Sequence, residues 1–217
     1  MRSLPRFGLS ILVLWLFAVQ PVLAYSYPLS SEAIRDAYFL GTEDAERRAD
    51  AFSSYTRQFP PSESGVHVAL IQFQTPFIVI ADRVATRISQ NLSSYFAPDA
   101  EKEYLGKPGI CRVRVQVFFP YDYGSYASAP PGAEYIPLDD MDKYAVRLTQ
   151  RGQEIMSQAH HKLLLTLTSD TGVSVVGMQM DLEYDPAKID SADSATVEVK
   201  TPDGHDVQTT FDLSKLR

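Results

Sequence analysis

The chain has 217 residues, a formal charge of −7, and 45% hydrophobic against 22% charged residues. This is ordinary globular composition, which excludes disordered, collagenous and low-complexity classes. An acidic chain with no Lys/Arg cluster lacks the footprint of a nucleic-acid binder. Its single cysteine excludes an intramolecular disulfide.

The first 24 residues read as a secretory signal peptide. Arg2 and Arg6 form a basic start, Leu9 to Val19 is apolar except for Ser10, and Val22-Leu23-Ala24 offers small or branched residues to a signal peptidase. The apolar run is about 11 residues, short of the roughly 20 that span a bilayer. No later stretch is apolar for long enough to be a transmembrane segment. The expectation is export to the periplasm or full secretion, with the mature chain starting at Tyr25. Removing residues 1–24 takes away two arginines, no acid and the only tryptophan, Trp15. The remaining 193 residues are then a single domain, helix-rich over 30–108 and β-rich over 110–217.

Helices are expected first. Ser30-Ser31-Glu32 caps an apolar-periodic stretch from Ile34 to Leu40, with Gly41 as a left-handed stop. Thr42 is read as the cap of a second helix, with Glu43 and Asp44 in its first turn. Ala45, Ala49, Phe52, Tyr55 and Phe59 give that helix one stripe, ended by Pro60-Pro61. The two helices are candidates for an antiparallel pair. Val66 to Phe73 reads as a buried strand. Thr75-Pro76 opens a further helix with Phe77, Ile80, Val84, Ile88 and Leu92 at helical spacing to about Tyr95, against which the β-branched run Ile78-Val79-Ile80 argues for a strand. Asp99 to Leu105 is a short helix closed by Gly106 and Pro108.

From Cys111 the period falls to two. Val113, Val115, Val117 and Phe119 alternate with Arg112, Arg114, Gln116 and Phe118. Further strands follow at Tyr144–Leu148, His161–Thr168, Val176–Tyr184, Ala195–Val199 and Val207–Leu213. Turns fall at Asp170-Thr171-Gly172 and Thr201-Pro202-Asp203-Gly204. The fold class is therefore α+β, with N-terminal helices packed on an antiparallel sheet or an immunoglobulin-like sandwich.

Several segments carry a resemblance. Tyr27-Pro28-Leu29-Ser30 followed by Ala33 to Gly41, Gly65-Val66-His67-Val68-Ala69, Thr75-Pro76-Phe77, Tyr104 to Gly109, and Val199 to Gly204 with Phe211-Asp212-Leu213 are similar to a family of uncharacterised exported bacterial proteins. That family has no assigned activity, so the resemblance implies export and no catalytic residue. Leu182-Glu183-Tyr184-Asp185-Pro186 resembles a strand-end motif of cohesin-like sandwiches.

Candidate chemistry is sparse. Asp181, Glu183 and Asp185 alternate on one strand, so they share one face, either as a cation site or as a solvated sheet face. Asp139-Asp140-Met141-Asp142 is a second acidic cluster, read chiefly as a solvated loop. His160 and His161 are adjacent and point to opposite faces, so they do not share an ion, and His67 reads as a core histidine. Cys111 reads as a small core residue. No metal ligand set, cofactor motif or catalytic residue is assigned. The segment Tyr121 to Met141 has no periodicity yet holds Tyr121, Tyr123, Tyr126 and Tyr135; it reads either as an irregular connection between two strands or as a recognition surface, with these four as the candidate binding residues. The expected function is an exported non-catalytic binding or structural module of the cell envelope, with an envelope protein or surface component as partner. The alternative is an extracytoplasmic hydrolase using carboxylate chemistry.

Overall fold

The computed structural model describes residues 26–61, 67–90, 94–107, 109–123, 142–170 and 172–217. The candidate signal peptide, Tyr126, Tyr135 and the acids Asp139 and Asp140 lie outside the described residues. Among those described, the fold is α+β, with four helices and two antiparallel sheets. The helices are α1 (Ser31–Thr42), α2 (Ala45–Phe52), α3 (Pro76–Ser89) and α4 (Ala97–Gly106). The strands are β1 (Thr56–Gln58), β2 (His67–Gln74), β3 (Cys111–Tyr123), β4 (Ala145–Gln150), β5 (Gln153–Ile155), β6 (Ala159–Ser169), β7 (Gly172–Tyr184), β8 (Ser194–Lys200) and β9 (Val207–Asp212). One sheet runs β1-β2-β3-β7-β6 and the other β5-β4-β8-β9.

The two-residue period explains how the sheets stack. Val113, Val115 and Val117 of β3 lie opposite Leu182, Met180 and Met178 of β7, so all six project from one face of the larger sheet. All six are buried, as are Phe73 and Ile71 beside them on β2. The smaller sheet turns Leu148, Ala195, Val197, Val199 and Phe211 toward this face. The Phe73 and Phe211 rings meet at 5.9 Å between centroids. Each fully buried aliphatic side chain in such a layer contributes about 1.5–3 kcal/mol of transfer free energy. Cys111 is buried in this core.

α3 covers the opposite face of the larger sheet at β2 and β3, and leaves the β6 end of that face open. α3 follows β2 directly, with Thr75 as N-cap and Pro76 at its first position. The Thr75 hydroxyl does not cap the helix; it donates to the backbone oxygen of Arg217. α1 packs on α3 and α4. Gly41 lies inside α1 and is not a left-handed stop. A β-carbon on Gly41 would sit 2.5 Å from the carbonyl oxygen of Ala81 and 2.6 Å from Cβ of Val84, so glycine is there to let α1 approach α3.

Other boundaries differ for local reasons. The α2 cap is Asp44, whose carboxylate accepts from the Arg47 N–H at 2.9 Å, while the Thr42 hydroxyl donates back to the Phe39 carbonyl. The helical stripe expected as far as Phe59 ends at Phe52. The chain then makes a short 3-10 turn that ends on the buried Tyr55, and only after it does β1 pair with β2. α2 itself buries no residue, so nothing rewards its extension. α3 ends at Ser89, short of the expected Tyr95. β5, three residues long, carries no alternation that a sequence reading could catch.

Candidate functional site

The paired acids of β7 sit under a helix. Asp181 and Glu183 lie opposite Arg114 and Arg112 of β3, on the face that α3 covers. Arg114 reaches Asp181 with two parallel bonds, Nε to Oδ1 at 2.9 Å and Nη2 to Oδ2 at 3.0 Å. It also reaches Asp82 of α3 with two, at 3.2 and 3.1 Å. Arg112 bonds Glu183 at 3.2 Å and lies 3.6 Å from Asp82. Gln72 and Gln74 close the layer on the β2 side, joined to each other at 2.6 Å. Burial by itself would lower the Arg114 pKa, but bonds and charge from Asp181 and Asp82 raise it well above its ordinary value. Charge-assisted fork geometry of this kind fixes register and orientation. The layer joins α3 to the sheet.

The solvated-face reading of these acids is therefore corrected. Asp181 and Glu183 are mostly covered, with side-chain exposures of 15% and 21%. Guanidinium groups occupy the space a cation would need. Asp185 does not share their face: it lies past the end of β7 and caps a 3-10 turn by accepting from the Ala187 N–H. No group of three or more metal-type ligands occurs among the described residues.

A second polar cluster lies between α3 and α4. Glu103 accepts from Arg83 at 2.8 Å, Arg87 at 3.2 Å and the Tyr95 hydroxyl at 2.9 Å. The Arg87 guanidinium stacks on the Tyr95 ring at 4.1 Å. Burial first, then the bond and charge of Glu103, push the Tyr95 phenol up to about 12. The adjoining cavity is about 200 Å³, and Tyr104 in its wall is committed to accepting the Leu29 N–H. Like the first cluster, this one spends its carboxylate on arginines.

The third feature is a cleft of about 400 Å³ where the two sheets diverge beside β6. Met180 and Leu182 of β7 line it with apolar surface. Around them stand Tyr144, Arg147 of β4, Glu154 of β5, and His160 and Lys162 of β6. Arg147 pairs with Glu154 at 3.1 Å and Lys162 with Asp142 at 2.5 Å. Arg147 and Glu154 are each more than 40% exposed. Exposed pairs of this kind are worth only about 0–1 kcal/mol, so they can be exchanged for contacts to a ligand at little cost. The buried Arg114 forks cannot. His160 contacts Ser157, while the neighbouring His161, which also borders the cleft, turns its ring to within 3.9 Å of Glu183.

The tyrosine segment is shorter than expected at its start. β3 continues through Tyr121 and Tyr123, and Tyr123 pairs with Val175 after a register shift, so these two residues are strand and not loop. Tyr126 and Tyr135 lie outside the described residues. His67 is half-buried on β2 and is not a core residue. Sequence reasoning missed Asp82, Arg112, Arg114 and Glu103, and Arg147, Glu154 and Lys162 of the cleft. One signal was available: Arg112 and Arg114 are spaced two residues apart, as Asp181 and Glu183 are, as two strands of opposite charge would be if paired. The cleft had no such signal, because four separate strands contribute to it.

In comparisons with known proteins, no family model and no curated protein matches the chain. Among the described residues no helix is long and apolar enough to cross a membrane.

Proposed function

We propose that this chain is an exported, non-catalytic binding module of the bacterial cell envelope, and that the cleft beside β6 engages a protein or another envelope component. The observation that carries the reading is the division of the charges. The clustered carboxylates Asp82, Asp181, Glu183 and Glu103 are held by arginines that tie helices to sheet and to each other. In the cleft the Arg147–Glu154 pair is surface-exposed and lies above an apolar floor of Met180 and Leu182, which suits recognition of a mixed-charge polypeptide or polymer. Export rests on the basic, apolar, small-residue order of residues 1–24 and on the resemblance to exported proteins.

A hydrolase using carboxylate chemistry needs an acid and a base free to face a substrate. Asp181 and Glu183, the candidate cation pair of the sequence, are turned into the helix–sheet interface and are not free in this way. The test is capture of envelope components by the immobilised protein, comparing the native chain with Arg147→Glu and Lys162→Glu. The reading expects capture by the native chain and its loss in both variants at unchanged melting temperature. Equal capture by all three places the binding surface elsewhere. Amino-terminal sequencing of the protein from envelope and culture fractions checks the address, with Tyr25 as the expected first residue.

A further inference from the structure

The edges of the two sheets are treated unequally. β1 and β5 are three residues long, which is one way natural sheets blunt an edge. β9 turns the polar side chains of Gln208 and Thr210 outward. β6 is different. It is the outer strand of the larger sheet among the described residues, and it is eleven residues long. Lys162 is its only lysine or arginine, and none follows through Ser169. Leu163, Leu165 and Leu167 project from one face, and Leu163 and Leu167 are 64% and 56% exposed. Phe118 of β3 extends the same apolar surface inward, in the row of Gly177 and Leu165. A long apolar edge of this kind is a template for strand addition.

The order of residues along β6 selects the strand that fits it. We propose that β6 pairs with β6 of a second copy, antiparallel, about a two-fold axis at Leu165, so that the two larger sheets become one continuous sheet. In that register Leu165 faces Leu165, and Leu163 faces Leu167 at both ends of the leucine run. On that face leucine meets only leucine. At the extremities His160, next to His161 and Lys162, stands opposite Asp170 of the other copy, so a basic end meets an acidic one twice. An axis one residue earlier sets His161 against Leu167 and loses both matches. The pairing is isologous, as the commonest closed oligomers are. It goes beyond the cleft reading and does not depend on it.

Sedimentation equilibrium of the purified protein from low to high micromolar concentration tests this. The expected result is a monomer–dimer equilibrium, with association weakened on the order of 100-fold in Leu163→Lys/Leu167→Lys, consistent with loss of a central apolar cluster. Both leucines are exposed, so circular dichroism and melting temperature should not change. A second variant guards against misfolding of the first. Opposed residues of an antiparallel pair bring their β-carbons to about 4.5–5.5 Å. Leu165→Cys should therefore give a disulfide-linked dimer on mild oxidation, and Leu163→Cys alone should not. The proposal is overturned if the native protein is monomeric throughout, if it forms open-ended larger species, or if the dimer survives the lysines and Leu165→Cys fails to trap it. Loss of the dimer with envelope capture intact refutes this pairing alone.

Discussion

Removing the Arg114 side chain should strand two carboxylates. In the native fold Asp82 and Asp181 each accept two bonds from its guanidinium, at 2.9 to 3.2 Å, and no more than 21% of either side chain is exposed. Arg114→Ala leaves both acids facing each other between α3 and the sheet. Arg112 remains at 3.6 Å from Asp82 and 3.9 Å from Asp181, which compensates only in part. Breaking a fully buried pair costs about 3–5 kcal/mol. With about a fifth of Asp82 still open to water, the expected loss is about 2–4 kcal/mol. At a urea dependence of roughly 2 kcal/mol/M, this moves the unfolding midpoint down by about 1–2 M. Combining Arg114→Ala with Asp82→Asn and Asp181→Asn should recover part of the loss, because the orphaned charges are gone. A loss below about 0.5 kcal/mol for Arg114→Ala, or strict additivity of the three substitutions, would refute the description of this layer as covered and coupled.

Gly41→Ala should destabilise by about 1–2 kcal/mol even though alanine is the better helix former, because its β-carbon meets the Ala81 carbonyl at 2.5 Å; a chemical melt decides the sign. Phe211→Ala, which empties a fully buried ring site against Phe73, should cost about 3–5 kcal/mol in the same assay. Gly204→Val should cost only about 1–2 kcal/mol, since its φ of 80° strains a β-branched residue while no atom lies within 4 Å of the new β-carbon. Stability should fall as pH rises from about 10 toward 12, because the folded chain keeps the Tyr95 proton that the unfolded chain releases near pH 10. That contribution is fully present below about pH 10, and Tyr95→Phe should flatten the decline in melts taken across that window.

Much of the fold was legible because β positions obey a strict alternation. Val113, Val115 and Val117 announced a buried face before any partner was known, and so did Ala195, Val197 and Val199. Gly204 marked its turn through the conformation it takes. Gly41 misled because the sequence shows a glycine and not its reason. Close approach to α3 needs the same residue as a helix stop. The stripe running to Phe59 misled in the same way, since Tyr55 is buried in a 3-10 turn against the Arg217 backbone and not on an α-helix face. The chemistry was hidden for a different reason. Whether Asp181 and Glu183 face water or Arg114 depends on the register between β3 and β7, and on α3 lying over that face. Residues 67 or more positions apart in the chain settle that. The cleft was less legible still, since Arg147, Glu154, Lys162 and Met180 converge from four strands.

The binding reading is tested most directly by photo-crosslinking from inside the cleft. A photoreactive amino acid is placed at Arg147 and, as a control, at Glu46 on α2, which is exposed and remote from the cleft-lining residues in sequence. Cells expressing each form are irradiated intact. The expected result is a discrete adduct from position 147, heavier than the chain alone and distinct from two copies of it, with none from position 46. No adduct from position 147, or the same adducts from both positions, would contradict the assignment of the cleft as the binding surface.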